Sequence, residues 1–168
     1  MSERAMEKKF VGTPKGRIAY LEAGDAGKPA VLFIHGIPTS GFLWRHVIRE
    51  LGGEFRCLAP DLMGLGDTDV DPKATDFSMP SQVEMLEDFL TALGVPRTHV
   101  VAHDQGGAAG QIFAVRNTER LDRLVLTDCV CFDNWPVPTV RQLMRFARVP
   151  WLAEHAGRVG LIEWVERR

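Results

Sequence analysis

The sequence predicts an α/β fold, a mostly parallel sheet flanked by helices. Two observations carry that reading. Between residues 30 and 128, continuous apolar runs of strand length alternate with segments of helical spacing, as in repeated strand–helix units. Within that alternation, Val100-Val101-Ala102-His103 rises to Asp104 and breaks into Gln105-Gly106-Gly107 and a small-residue helix. A buried strand, a very tight turn and an immediate helix place Asp104 at the apex. Ala102 and Gly106 are small enough for the strand and helix to approach closely.

The elements follow in order. Phe10-Val11 and Arg17–Glu22, joined through Gly12–Gly16, read as a hairpin. Ala23–Pro29 is a loop, and Ala30–Ile34 is a fully apolar central strand. It ends in His35-Gly36-Ile37-Pro38, a loop at the carboxyl end of a buried strand, where α/β folds place ligands. Trp44, Val47, Ile48 and Leu51 are spaced for one apolar helix face, and Phe55–Ala59 is the next strand. Ser78-Met79-Pro80 opens a helix whose buried stripe is Val83, Leu86, Phe89, Leu90 and Leu93, stopped by Gly94-Val95-Pro96. The helix after Asp104 runs to about Asn117, and 121–128 is a further strand. Beyond it, 133–138 is loop-like, and 139–168 has the Trp, Leu and Arg texture of helices laid over a sheet. The expected division is a core over 1–132 and the start of a helical cap over 133–168.

Composition narrows the function classes. A net charge of −2 without a basic patch excludes an electrostatic nucleic-acid binder. No apolar run approaches the roughly 18 residues of a membrane span, and Met1–Lys9 lacks the apolar centre of a secretory signal. Cys57, Cys129 and Cys131, an odd number in apolar runs, fit reduced thiols in the cytoplasm. Cys129-x-Cys131 has no second pair and no nearby His, so no metal site is expected. Asp67-x-Asp69-x-Asp71 has Pro72 and Ser78 where a calcium loop needs Gly and Glu, and reads as a solvated loop. Gly64-x-Gly66 lacks the third glycine of a dinucleotide site. No cofactor is implied; the expected partner is a small-molecule substrate.

Taken alone, Asp104 is either a helix N-cap or a nucleophile raised on an elbow of the G-x-S-x-G kind, here with Ala first and Asp at the centre. The order of three motifs bears on that choice: His35-Gly36-Ile37-Pro38, then Asp61-Leu62-Met63-Gly64-Leu65-Gly66, then the Asp104 elbow. Together they resemble the α/β-hydrolase superfamily. Within it the chain is most similar to the Asp-nucleophile branch, the haloalkane dehalogenases and epoxide hydrolases, over residues from about 10 to 138. The resemblance implies the α/β-hydrolase fold with an incomplete helical cap, and an alkyl-enzyme ester formed on Asp104. A carboxylate is ionised at neutral pH and displaces a leaving group at saturated carbon without a base; cleaving the ester then needs water activated by a histidine.

The same resemblance assigns the other candidates. The backbone N–H groups of Ile37 and Gln105 would form the oxyanion hole, and His35, Pro38, Trp44 and Trp135 the substrate pocket. Asp128 is either the acid that orients the histidine or a strand-end acid capping a loop. Dehalogenases hold the halide with a Trp after the nucleophile and an Asn, or a second Trp, elsewhere; this chain has Gln105 and Ile37 at the matching places. Halide, epoxide and ester substrates therefore all stay open.

Relatives carry the catalytic histidine near a C-terminus that lies beyond the cap, whereas this chain stops at Arg168. Of its five histidines, His155 is the one not otherwise assigned. The expectation is that the base is absent and that turnover is incomplete or lost. The strand 121–128 would then be an unpaired edge, leaving the fold unstable or pairing with a second copy or a complementing chain.

Overall fold

A computed structural model describes residues 6–136, 138 and 141. The chain divides after Val130 into two compact units. The first part is a six-stranded mixed sheet with helices on both faces. Strands β1 (Lys9–Thr13) and β2 (Gly16–Ala23) form the expected hairpin, with Thr13 opposite Gly16. There follow β3 (Ala30–Ile34), a 3-10 turn at Gly41–Trp44, α1 (Arg45–Leu51) and β4 (Arg56–Pro60). The unit closes with α2 (Met79–Ala92), β5 (Thr98–His103), α3 (Gln105–Arg116) and β6 (Leu121–Thr127).

The sheet order is β1-β2-β4-β3-β5-β6. The hairpin joins β4 antiparallel, while β4, β3, β5 and β6 are mutually parallel neighbours. All five residues of β3 are buried, because both its faces are covered and both its edges paired. Strand alternation sorts its side chains. Ala30, Leu32 and Ile34 join Val83, Leu86, Phe89 and Phe113 of α2 and α3 on one face. Val31 and Phe33 join Trp44 and Ile48 on the other. Burial of each such side chain contributes on the order of 1.5–3 kcal/mol.

Two expectations are corrected. Val47 was placed on the buried stripe of the first helix but is 41% exposed; Ile48 and Trp44 fill that interface without it. The loop expected from Ala23 begins one residue later, because Ala23 still pairs with Cys57. In the second part, the described residues form a turn in which the Asn134 side chain accepts from the Cys131 N–H (2.8 Å). The expected cap helices, with His155, Trp151 and Leu152, lie outside the described residues.

Strand β6 is the end of the sheet among the described residues, and its burial differs sharply from that of β3. Val125 and Leu126 point to opposite faces and are 49% and 42% exposed. Among the described residues β6 is paired on one side only, and a strand apolar on both faces with such an edge is a pairing template. Sedimentation velocity at micromolar concentration should show a dimer or larger species, and Val125→Lys should shift it toward monomer. A stable monomer of the unsubstituted chain would count against edge pairing.

Candidate active site

Asp104 links β5 to α3 and carries the backbone cost of the turn. Its φ is 54°, a region that non-glycine residues seldom adopt. The surroundings leave no room for the turn to relax. A Cβ on Gly106 would lie 2.2 Å from the His35 carbonyl oxygen, and one on Gly107 would lie 2.0 Å from Cys129 Sγ. Gly110 and Ala102 allow the helix and strand to meet, as their small size predicted; a Cβ on Gly110 would touch Ala102 Cβ at 3.0 Å.

The Asp104 carboxylate does not cap its own helix, although the residue occupies the N-cap position. It turns toward the loop after β3, where Oδ1 accepts from the Ile37 N–H at 3.0 Å. Gly36 makes this approach possible, since a Cβ there would sit 2.2 Å from that oxygen. Ile37 and Asp104 are therefore brought together. Gln105 follows as the first residue of α3, so its backbone N–H has no partner within the helix.

A cleft of about 440 Å³ opens beside this turn. Ile37 and Gln105, the residues that bracket Asp104, line one side, and Met63, Leu65, Phe77 and Met79 form apolar walls. The Gln105 side chain has no hydrogen-bond partner among the described residues. The other three pocket candidates differ in their surroundings. Pro38 is exposed and outside the cleft lining. Trp44 is packed against Phe33 on the α1 face, with its indole N–H buried and unpartnered among the described residues. Trp135 belongs to the second part of the chain and is half-buried there.

His35, the fourth pocket candidate, has its own role in the frame. It is fully buried and serves as a latch between loops. Its Nδ1 lies 2.8 Å from the Gly36 carbonyl and its Nε2 accepts from the Leu62 N–H at 2.9 Å. That pattern fits a neutral ring with the proton on Nδ1. Burial pushes its pKa below the ordinary histidine value, against the opposing pull of the Gly36 carbonyl and Asp61.

Three polar residues hold the cleft's frame, of which only Asp61 belongs to a sequence motif. Asp61 is fully buried at the end of β4; its carboxylate accepts from Gly41 N (2.7 Å), Asp67 N (2.8 Å) and Lys8 Nζ (2.5 Å). Gln82 on α2 is buried and grips Met63 at two points, accepting from its N–H and donating to its carbonyl, both at 2.9 Å. Lys8 also pairs with Asp67. Burial works to lower the Lys8 pKa, but its hydrogen bonds to Asp61 and Asp67 prevail and raise it.

Asp128 follows β6 with φ 45°, is exposed, and accepts no hydrogen bond among the described residues. His103, on the strand below Asp104, sets Nδ1 3.0 Å from the Thr127 carbonyl and stands edge-on to Trp44. His46 lies exposed on α1, and His99 packs edge-on against Phe55. No group of three or more His, Cys, Asp or Glu able to hold a metal occurs among the described residues.

Comparison with known proteins identifies the chain's relatives. The profile of the alpha/beta hydrolase fold family matches residues 29–156. A haloalkane dehalogenase of Mesorhizobium japonicum is 34% identical over 145 residues, covering 82% of this chain and 45% of the relative. Human epoxide hydrolase 4 is 30% identical over 152 residues, covering 82% and 40%. The chain thus spans less than half the length of these two curated relatives. Among solved structures, one described as a novel epoxide hydrolase of the alpha/beta hydrolases superfamily, from metagenomes of hot environments, superposes with a TM-score of 0.82 at 25% identity. It covers 97% of this chain and 58% of the other.

Two measurements test the site's construction. Asp104→Gly and Asp104→Ala both lose the bond to Ile37, but only glycine accepts the positive φ. In urea unfolding the glycine variant should be the more stable by about 1–3 kcal/mol. For His35, a folded pKa below the unfolded value means that the unfolded chain takes up the proton first. Its contribution is full above the ordinary value of 6.5 and is lost as pH falls below it. Replacing His35 by Gln should flatten the decline in stability between about pH 7 and about pH 5.

Proposed function

The chain belongs to the alpha/beta hydrolase fold family, and from that premise we propose that Asp104 is the nucleophile of a hydrolase acting on small alkyl halides or epoxides. The observation that carries the reading is the direction of the Asp104 carboxylate. It leaves its helix uncapped and meets the Ile37 N–H beside an apolar cleft.

The reaction has two steps. A carboxylate oxygen attacks the saturated carbon, a C–O ester bond forms, and the carbon–halogen or ring C–O bond breaks with its electron pair. A halide leaves as the anion; an epoxide oxygen stays on the alkyl group and takes up a proton from water. Water then adds to the ester carbonyl and gives its proton to a base. The tetrahedral oxyanion collapses to the alcohol and the free carboxylate. The N–H groups of Ile37 and Gln105 would stabilise that oxyanion, each by roughly 3 kcal/mol. Asp128, exposed at the end of β6, is the proposed acid orienting the base.

A second reading, alkylation without turnover, is favoured by the described histidines. His35 has both ring nitrogens engaged in the frame, and His103 is turned to Thr127. His155 is the proposed base if turnover occurs. A cytoplasmic setting is proposed from the odd number of cysteines, all in apolar runs of the sequence.

Intact-mass measurement after incubation with alkyl bromides and epoxides separates these readings. The expected result is a mass increase equal to the alkyl group less one hydrogen for a bromide, or to the whole epoxide, absent in Asp104→Asn and mapped to Asp104. A lasting adduct supports alkylation without turnover, and product release without accumulation supports the complete cycle. Neither adduct nor product from folded protein would overturn the nucleophile assignment.

A further inference from the structure

We infer that Gln82 is a positioning residue that sets the size selectivity of the cleft by clamping the peptide of Met63. The inference rests on the reading of the cleft as the substrate site, and goes beyond it by assigning a residue that neither the motifs nor the reaction chemistry call for.

The clamp meets both backbone hydrogen-bonding groups of one residue, Met63, with one side chain. Gln82 Oε1 accepts from Met63 N–H and Gln82 Nε2 donates to the Met63 carbonyl, both at 2.9 Å, with Gln82 only 3% exposed. A buried peptide left without these partners would lose about 1–3 kcal/mol for each unsatisfied group. The segment needs such a clamp because it has no regular structure to rely on. It follows the last residue of β4 and enters a turn with Gly64 at φ 82° and Gly66 at φ 60°. Its other tethers, Leu62 N–H to His35 and the Asp61 carboxylate to Asp67 N–H, hold residues on either side of Met63 but not Met63 itself. Met63, Gly64 and Leu65 are the part of the cleft wall that hangs from this point. Met63 is 2% exposed, so the wall is packed from behind and its position follows the clamp.

The decisive variant is Gln82→Glu. A protonated carboxyl reproduces both hydrogen bonds, since its carbonyl oxygen accepts and its O–H donates. The carboxylate cannot donate and faces the Met63 carbonyl with like partial charge. Burial disfavours the charged form, so the clamp should hold at low pH and fail as pH rises. The other ionisable groups around the cleft's frame are His35, bonded to Leu62, Asp61 with Lys8, and Asp104; all are unchanged in the variant, so wild-type protein measured at each pH carries their contribution. Glu84 and Lys15 pair with each other on the outer side of α2.

Two unreactive alcohols, butan-1-ol and cyclohexylmethanol, probe the cleft without chemistry, by the amide shifts of Gly64, Leu65 and Gln105. Alkylation rates with 1-bromobutane and (bromomethyl)cyclohexane give the reactive counterpart. Wild-type protein should discriminate between slim and bulky ligands at both about pH 8 and about pH 5.5. Gln82→Glu should lose about tenfold of that discrimination at the higher pH and regain it at the lower. Gln82→Ala, checked for folding by circular dichroism, should lose it at both. Unchanged selectivity in both variants overturns the assignment, as does loss in Gln82→Glu that acid does not restore. Failure of wild-type protein to bind either alcohol, or to tell them apart, overturns it too. If the alcohols behave as expected but no bromide alkylates the protein, the clamp stands and the Asp104 nucleophile falls.

Discussion

The site depends on how closely two backbones approach: the turn between β5 and α3, and the loop that follows β3. Gly106 lies under the His35 carbonyl and Gly36 against the Asp104 carboxylate, at separations that no side chain could share. The approach fixes the Asp104 oxygen within hydrogen-bond distance of Ile37 N–H. It also keeps Asp104 at a positive φ that would otherwise relax. The parallel pairing of β3 with β5, from Ala30 opposite Thr98 to Ile34 opposite Ala102, brings the two ends level. Sheet register and glycine placement thus do for the carboxylate what a dedicated side-chain partner does elsewhere.

Around that contact, the frame is made of buried polar groups whose bonding is satisfied. Desolvating the Asp61 carboxylate is costly unless each oxygen is met. Here two backbone N–H groups and the Lys8 ammonium meet them, tying the N-terminal segment, the 3-10 turn and the loop after β4 to one point. His35 and Gln82 do the same for Leu62 and Met63. Loops without secondary structure are held by side chains standing in for a strand partner, so the cleft wall is as fixed as the sheet below it.

The fold was legible in the sequence because periodicity reports burial directly. The five apolar residues of β3 and the stripe Val83, Leu86, Phe89 and Leu90 could only be covered on the sides where they are covered. The strand–turn–helix at Asp104 was legible from its glycines. What could not be read were contacts made across long sequence separations by polar residues. Lys8 reaches Asp61 across 53 positions and Gln82 reaches Met63 across 19; neither makes a periodic pattern. Having His35 next to a ligand loop suggested a pocket wall. It faces the interior because Leu62 offers an N–H that needs an acceptor there. Asp104 as a cap was a sound local reading, overruled by Ile37.

The crowding around the turn has a consequence for how such a chain can change over generations. Gly36, Gly41, Gly66, Gly106 and Gly107 each face an atom closer than 2.5 Å to where a Cβ would stand, so drift at these positions is closed. Met63, Leu65, Phe77 and Met79 line the cleft. Novelty in what the protein accepts can therefore accumulate on one wall while the turn stays as it is. A lineage could explore many ligands without ever rebuilding the part that reacts.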